Sequence, residues 1–155
     1  MTKRTILVPV DDTADSERAV DWALSNLYQK GDELYFLFVV SGTSFVVLGG
    51  DAAETIVEED KSAEDKVFQD ATAAVERRFA PKAAAASAAY KIEIARGLTD
   101  NESIGDTVCK RADSLNALAV VMVKHQRSAI KKWFMGSVTN TVAHQCKQPV
   151  VVLGH

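Results

Sequence analysis

Five short runs of apolar, mostly β-branched residues punctuate the chain, and they constrain its fold more than any other feature. They are TILVPV at 5–10, LYFLFVV at 34–40, YKIEIA at 90–95, LAVVMV at 118–123 and VVVL at Val150–Leu153. Four of them are almost continuously apolar, which suits strands buried on both faces of a parallel sheet. YKIEIA alternates instead, so one of its faces meets water and it belongs at a sheet edge.

Helical patterns separate the runs. Ala19, Val20, Ala23, Leu24 and Leu27 form one apolar stripe. Val67, Ala71, Val75 and Phe79 repeat the device across residues 63–79, and the pattern predicts a stop before Pro81. Ile104, Val108 and Leu115 mark a third helix; Val138, Val142 and Cys146 mark a fourth, ended before Pro149. PKAAAASAA, residues 81–89, reads as a low-complexity loop. The connection from Ser41 to about Ser62 exceeds a plain crossover loop and predicts a short extra strand or turn, or a segment over the binding face.

The alternation β-α-β-α-β-α-β-α-β predicts one domain over residues 1–155, a five-stranded parallel sheet with helices on both faces and right-handed crossovers. Ligands of such sheets bind beyond the carboxyl ends of the strands, where the winding direction reverses. Here that crevice lies between the first and fourth runs.

Composition then removes whole classes of function. A formal charge of −3 argues against a nucleic-acid binder. Cys109 and Cys146 lie far apart and form no C-x-x-C, so neither a disulfide framework nor a cysteine zinc site is expected, and the pair fits a reducing compartment. His125, His144 and His155 supply no metal-ligand spacing. MTKRTILVPV enters a strand with no room for a signal peptide. No apolar run approaches the ~18 residues of a membrane span. A cytoplasmic protein without membrane contact is the expectation.

Two loops converge on the crevice. Pro9 ends the first strand, and Asp11 and Asp12 follow. Asp12, Thr13, Asp15 and Ser16 all suit a helix cap. Asp11, nearest the strand tip, can instead face the crevice and accept from an adenine amino group. Two adjacent acids also suggest Mg²⁺, but a third ligand is missing. The other loop leaves the fourth strand at Met122 and enters a helix near Gly136-Ser137-Val138-Thr139. Free amides at a helix start form an anion site, and plain capping by Ser137 is the competing reading. Lys124, Arg127, Lys131 and Lys132, in an acid-free stretch, favour the anion.

Taken together, TILVPVDDTADSERAVDWAL, IEIARG and VVMVKHQRSAIKKWFMGSVTNTVAHQCKQPVVVL resemble a universal stress protein over essentially the whole length. The resemblance implies a Rossmann-like sheet of the adenine nucleotide alpha hydrolase type, in strand order 3-2-1-4-5. It implies a homodimer paired through Val150–Leu153, and a stress-response role with an ATP or AMP crevice; Mg²⁺ would enter only with a nucleotide. ATP-binding members carry Gly, two residues, Gly, nine residues, then Gly with Ser or Thr. Counting back from Gly136-Ser137 puts Gln126 and Val123 at the other two glycine positions. By resemblance, Pro9, Val10 and Asp11 border the adenine, Val39 lies near adenine or ribose, and Met122 and Val123 line the base and ribose. Gln126, Arg127, Gly136, Ser137, Val138 and Thr139 meet the phosphates.

Gln126 in a left-handed conformation would cost roughly 1 kcal/mol. Val123 is worse suited to that conformation, and its side chain fills space meant for ribose. A weakened nucleotide site follows. The alternative is a family member that binds no nucleotide and acts through a protein partner, which the sequence does not identify. A slow nucleotide hydrolase is a third reading, against which no Ser-His-Asp, Cys-His or P-loop lysine set appears; no catalytic or metal-ligating residue is assigned.

Overall fold

A computed structural model describes residues 3–41, 56–97, 101–124 and 135–154. Its elements alternate as expected: β1 (Thr5–Pro9), α1 (Ala14–Asn26), β2 (Glu33–Ser41), α2 (Ile56–Ala85), β3 (Ala89–Gly97), α3 (Asn101–Ser114), β4 (Ala119–Val123), α4 (Met135–Gln145) and β5 (Val150–Leu153). The five strands form one parallel sheet in the order β3-β2-β1-β4-β5. The alternating run is an edge, as its wetter face required.

Period-two alternation divides the strands between two cores. Ile6, Val8, Leu34, Phe36, Val121 and Val123 pack beneath α1 and α2, against Val20, Ala23, Val75, Phe79 and Ala83. Leu7, Leu37, Val39, Val120 and Met122 pack on the other face, beneath α3 and α4. Near-continuous apolar strands are thus explained residue by residue: odd and even positions serve different helix layers.

Four sequence expectations change. The second helix starts at Ile56, inside the expected long connection, and runs through Pro81 to Ala85. A proline in a helix interior costs ~3 kcal/mol or more through a lost hydrogen bond and a clash. Phe79 and Ala83, fully buried on either side of it, offset that cost, and alanine is the best helix former. So residues 81–85 are helix rather than loop. The helix ends in a Schellman motif: Ser87 takes φ 52°, Ala88 N–H donates to Ala83 C=O and Ser87 N–H to Ala84 C=O. Asn116, φ 49°, ends α3 in the same way.

Val67, expected in the buried stripe, is 45% exposed. A helix of 30 residues spans about 45 Å, more than the roughly 30 Å of a nine-residue strand. The stripe is covered only where the sheet lies beneath it.

The capping residue of α1 is Thr13, whose side chain accepts from Ser16 N–H. Asp12, one of the candidates, instead pairs with Arg78 of α2 at 2.9 Å.

Finally, Cys109 and Cys146 are not separate thiols. They form a disulfide across 37 residues, with Cα atoms 4.7 Å apart. Distance along the chain says nothing about distance across it once α3 and α4 lie side by side. Gly105 makes that approach possible: a Cβ there would stand 2.6 Å from Thr141 Cγ2.

Candidate functional site

The crevice opens where the winding reverses. It is lined by Pro9, Val10, Asp11, Ser16, Leu37, Val39, Ile104, Val108, Met122, Val123 and Val138. Its mostly apolar wall with a few polar groups is the usual composition of a small-molecule site. Seven residues expected at the site therefore meet here: Pro9, Val10, Asp11, Val39, Met122, Val123 and Val138.

β1 ends early, and that builds the floor. Pro9 is its last residue, opposite Leu37, and Val10 N–H donates to Leu37 C=O at 2.9 Å. β2 continues to Ser41. The two-residue period turns the N–H and C=O of Val39 to the same edge as those of Leu37, past the end of β1. A donor and an acceptor side by side on one strand edge match the amino and ring-nitrogen edge of an adenine.

Asp11 closes the β1–α1 turn. Its Oδ1 accepts from Ser16 Oγ at 2.7 Å and from Thr13 Oγ1, and its N–H donates to Ser16 Oγ at 2.9 Å. Ser16 is buried. The carboxylate thus shapes the crevice rim through the turn, and one oxygen is already engaged there.

Val123 is the last residue of β4, paired with Leu153, with Lys124 N–H donating to Leu153 C=O at 2.9 Å. It is extended backbone that any residue adopts. Among the described residues only Ser87 and Asn116 are non-glycine residues with positive φ. The expected backbone penalty at Val123 does not exist. Its side chain enters the α1–α2 core and still lines the crevice, so what it changes is space.

Gly136, Ser137 and Val138 belong to the first turn of α4, where helical amides lack partners within the helix. Thr139 is buried, and its Oγ1 has no hydrogen-bond partner among the described residues. It does not line the crevice. A buried hydroxyl without a partner is costly unless something supplies one. Gln126 and Arg127 lie outside the described residues, as do His125, Lys131 and Lys132. Lys124 is exposed.

Sequence reasoning missed Ser16, Leu37, Ile104 and Val108. Signals existed for three of them: Leu37 is two residues before Val39, and Ile104 and Val108 share a helical stripe. Ser16 carried only a capping signal. Among the described residues no cluster of three or more His, Cys, Asp or Glu is placed to hold a metal ion. No described helix is long and apolar enough to cross a membrane.

A doubly wound parallel sheet with a crevice at its reversal, beside a helix start, defines an open α/β protein with a small-molecule-type site. The universal stress protein family matches residues 3–154, and the chain belongs to that family. It is similar to the universal stress protein UspA from Lactobacillus plantarum, at 22% identity and TM-score 0.68, covering 99% of each chain. A universal stress protein from Archaeoglobus fulgidus is 20% identical, with TM-score 0.58, covering 97% of this chain and 98% of that one. A universal stress protein in complex with cAMP is 19% identical, with TM-score 0.59, covering 99% and 98%. Likeness at these identities speaks to the fold. No curated protein matches the chain.

Proposed function

We propose that this universal stress protein is a binding or regulatory module whose crevice takes an adenine nucleotide, AMP or ATP, more weakly than a site with all three motif glycines. The observation that carries the reading is the Val39 strand edge running past the end of β1, set in an apolar crevice that ends at the first turn of α4. The base stacks between apolar side chains and hydrogen-bonds to the strand edge; the phosphates lie at the α4 amides. A family member bound to cAMP is consistent with an adenine-type ligand.

The same reading takes the protein to be a cytoplasmic homodimer, joined through β5, that binds rather than turns over its ligand, with Mg²⁺ arriving only on a nucleotide. The weakening comes from the space taken by Val123 and from Gln126 standing at the middle glycine position.

Thermal unfolding tests it. Nucleotide at a hundred times its Kd adds about 2.7 kcal/mol of stability. In a domain of this size that raises Tm by roughly 5–10 °C. AMP and ATP, with and without Mg²⁺, are expected to do so. An unmoved curve at saturating concentrations sinks the reading and leaves the alternative, a module acting only through a protein partner.

A further inference from the structure

The crevice wall on one side is made of two helices that are covalently joined. Ile104 and Val108 of α3 and Val138 of α4 line the crevice. Cys109 follows Val108 directly and is bonded to Cys146, which follows the last residue of α4. Between those levels the helices touch at Gly105 and Thr141 with no room for a Cβ. The disulfide therefore ties the C-terminal end of α4 to the middle of α3, one residue past the wall-lining Val108, and fixes the spacing of the two helices there.

Nothing else in the fold requires the bond. The α1–α2 core contains neither cysteine, and in the α3–α4 core two thiols fill nearly the same space as the disulfide. A 155-residue chain needs no covalent staple to bury a sufficient core. Cys109 is buried, whereas Cys146 is only half-buried, in the short segment between α4 and β5 where a small reagent can reach it.

We propose that Cys109 and Cys146 are a reversible redox link that sets the spacing of α3 and α4, and through it the ligand affinity of the crevice. Its effect on affinity rests on the nucleotide reading above. Oxidation by a hydroperoxide balances as two thiols plus H₂O₂ giving one disulfide and two waters. The Cys146 thiolate attacks a peroxide oxygen; the O–O bond breaks, a sulfenic acid forms and water leaves after protonation. Cys109 sulfur then attacks the Cys146 sulfur, the S–O bond breaks and the second water departs. A dithiol reverses the step and is itself oxidised to its disulfide. Oxidised protein holds the wall in one geometry; reduced protein lets the helices separate.

The full-length protein is treated with dithiothreitol or hydrogen peroxide, and its thiols are counted by alkylation and mass. Amide exchange at Ile104, Val108 and Val138 and the Kd for AMP are then measured in both forms. Two thiols are expected after dithiothreitol and none after peroxide. Reduction is expected to speed exchange at the three wall amides about tenfold and to raise the Kd about three- to tenfold. Cys109→Ser is expected to bind AMP and exchange as the reduced form does, and to form no intramolecular disulfide with peroxide; Cys146→Ser replaces it if the first variant does not fold. A disulfide that resists dithiothreitol in the folded protein overturns the proposal. So do equal exchange and equal Kd in the two forms, a result that leaves the nucleotide reading intact. If AMP binds neither form, that reading fails, and wall exchange alone decides: faster on reduction supports the link, unchanged refutes it.

Discussion

Asp32 shows how one side chain orders a turn and ties it to the sheet. It accepts from Arg4 Nε at 2.8 Å and from Gln29 N–H at 2.8 Å, at the turn where Gly31 takes φ 99°. Its side chain is 5% exposed. The hydrogen bond from Arg4 holds the carboxyl below the usual carboxylate range. A depressed carboxylate stabilises the fold above its unfolded pKa of about 3.9, and that stability is lost as pH falls through the folded value. Acid unfolding of Asp32→Asn is therefore expected to be less steep below pH 4, from a starting stability lower by about 1–3 kcal/mol. Equal pH slopes in wild type and variant, from denaturant titrations, would count against this role.

Tyr35 lies in a related cluster. Its hydroxyl donates to Glu93, which also accepts from Arg111, and burial with that hydrogen bond pushes its pKa up to about 12. None of these pairings was legible in the sequence. Arg4 and Asp32 are 28 residues apart and Tyr35 and Glu93 58, and only strand register brings them together.

Apolar runs and stripes gave the elements, because burial on two faces leaves a mark at every position. Ends were harder. Pro81 looked like a stop, yet the buried residues around it outweighed the local cost. Glycine was the signal for close helix approach, and Gly105 lay unread in the α3 pattern. Gly105→Ala is expected to cost about 1–3 kcal/mol by overpacking, although alanine favours a helix by up to ~1 kcal/mol. A stabilised variant in urea unfolding would show that α3 and α4 are not packed as described.

The disulfide joins the same two elements. Closing 37 residues of separation stabilises by about 3–4 kcal/mol on the chain-entropy account. Reduction is then expected to lower Tm by roughly 8–15 °C. A second tie runs between α1 and α2: Arg78 meets Asp12 at 2.9 Å and Glu17 at 3.2 Å, and Lys82 meets Asp21 at 2.8 Å. These are surface contacts, so Arg78→Ala is expected to cost no more than ~1 kcal/mol and to lose that effect at 1 M salt. A salt-independent loss would assign Arg78 a packing role instead.

At the scale of the molecule, topology explains why a site exists at all. β1 lies centrally with β2 on one side and β4 on the other, and the chain leaves it in opposite directions. Five runs in order were enough to infer that reversal; the residues expected to line the crevice came from the family resemblance. Phosphate-side residues were less accessible, since Gln126 and Arg127 fall outside the described residues. β5 closes the other edge of the sheet, where Val152 is 36% exposed. An apolar edge invites pairing with a second copy. Val152→Lys is expected to turn the proposed homodimer into a monomer in sedimentation, and a dimer that the substitution leaves unchanged would place the interface elsewhere.

The central claim is that an adenine nucleotide lies across the reversal. Titrating AMP into isotope-labelled protein and following backbone amides tests it most directly. The amides of Val39, Val123, Val138 and Thr139 are predicted to shift together and to saturate at one Kd, while those of β5 stay still. Unmoved amides at millimolar AMP, or shifts confined to other parts of the chain, would contradict it.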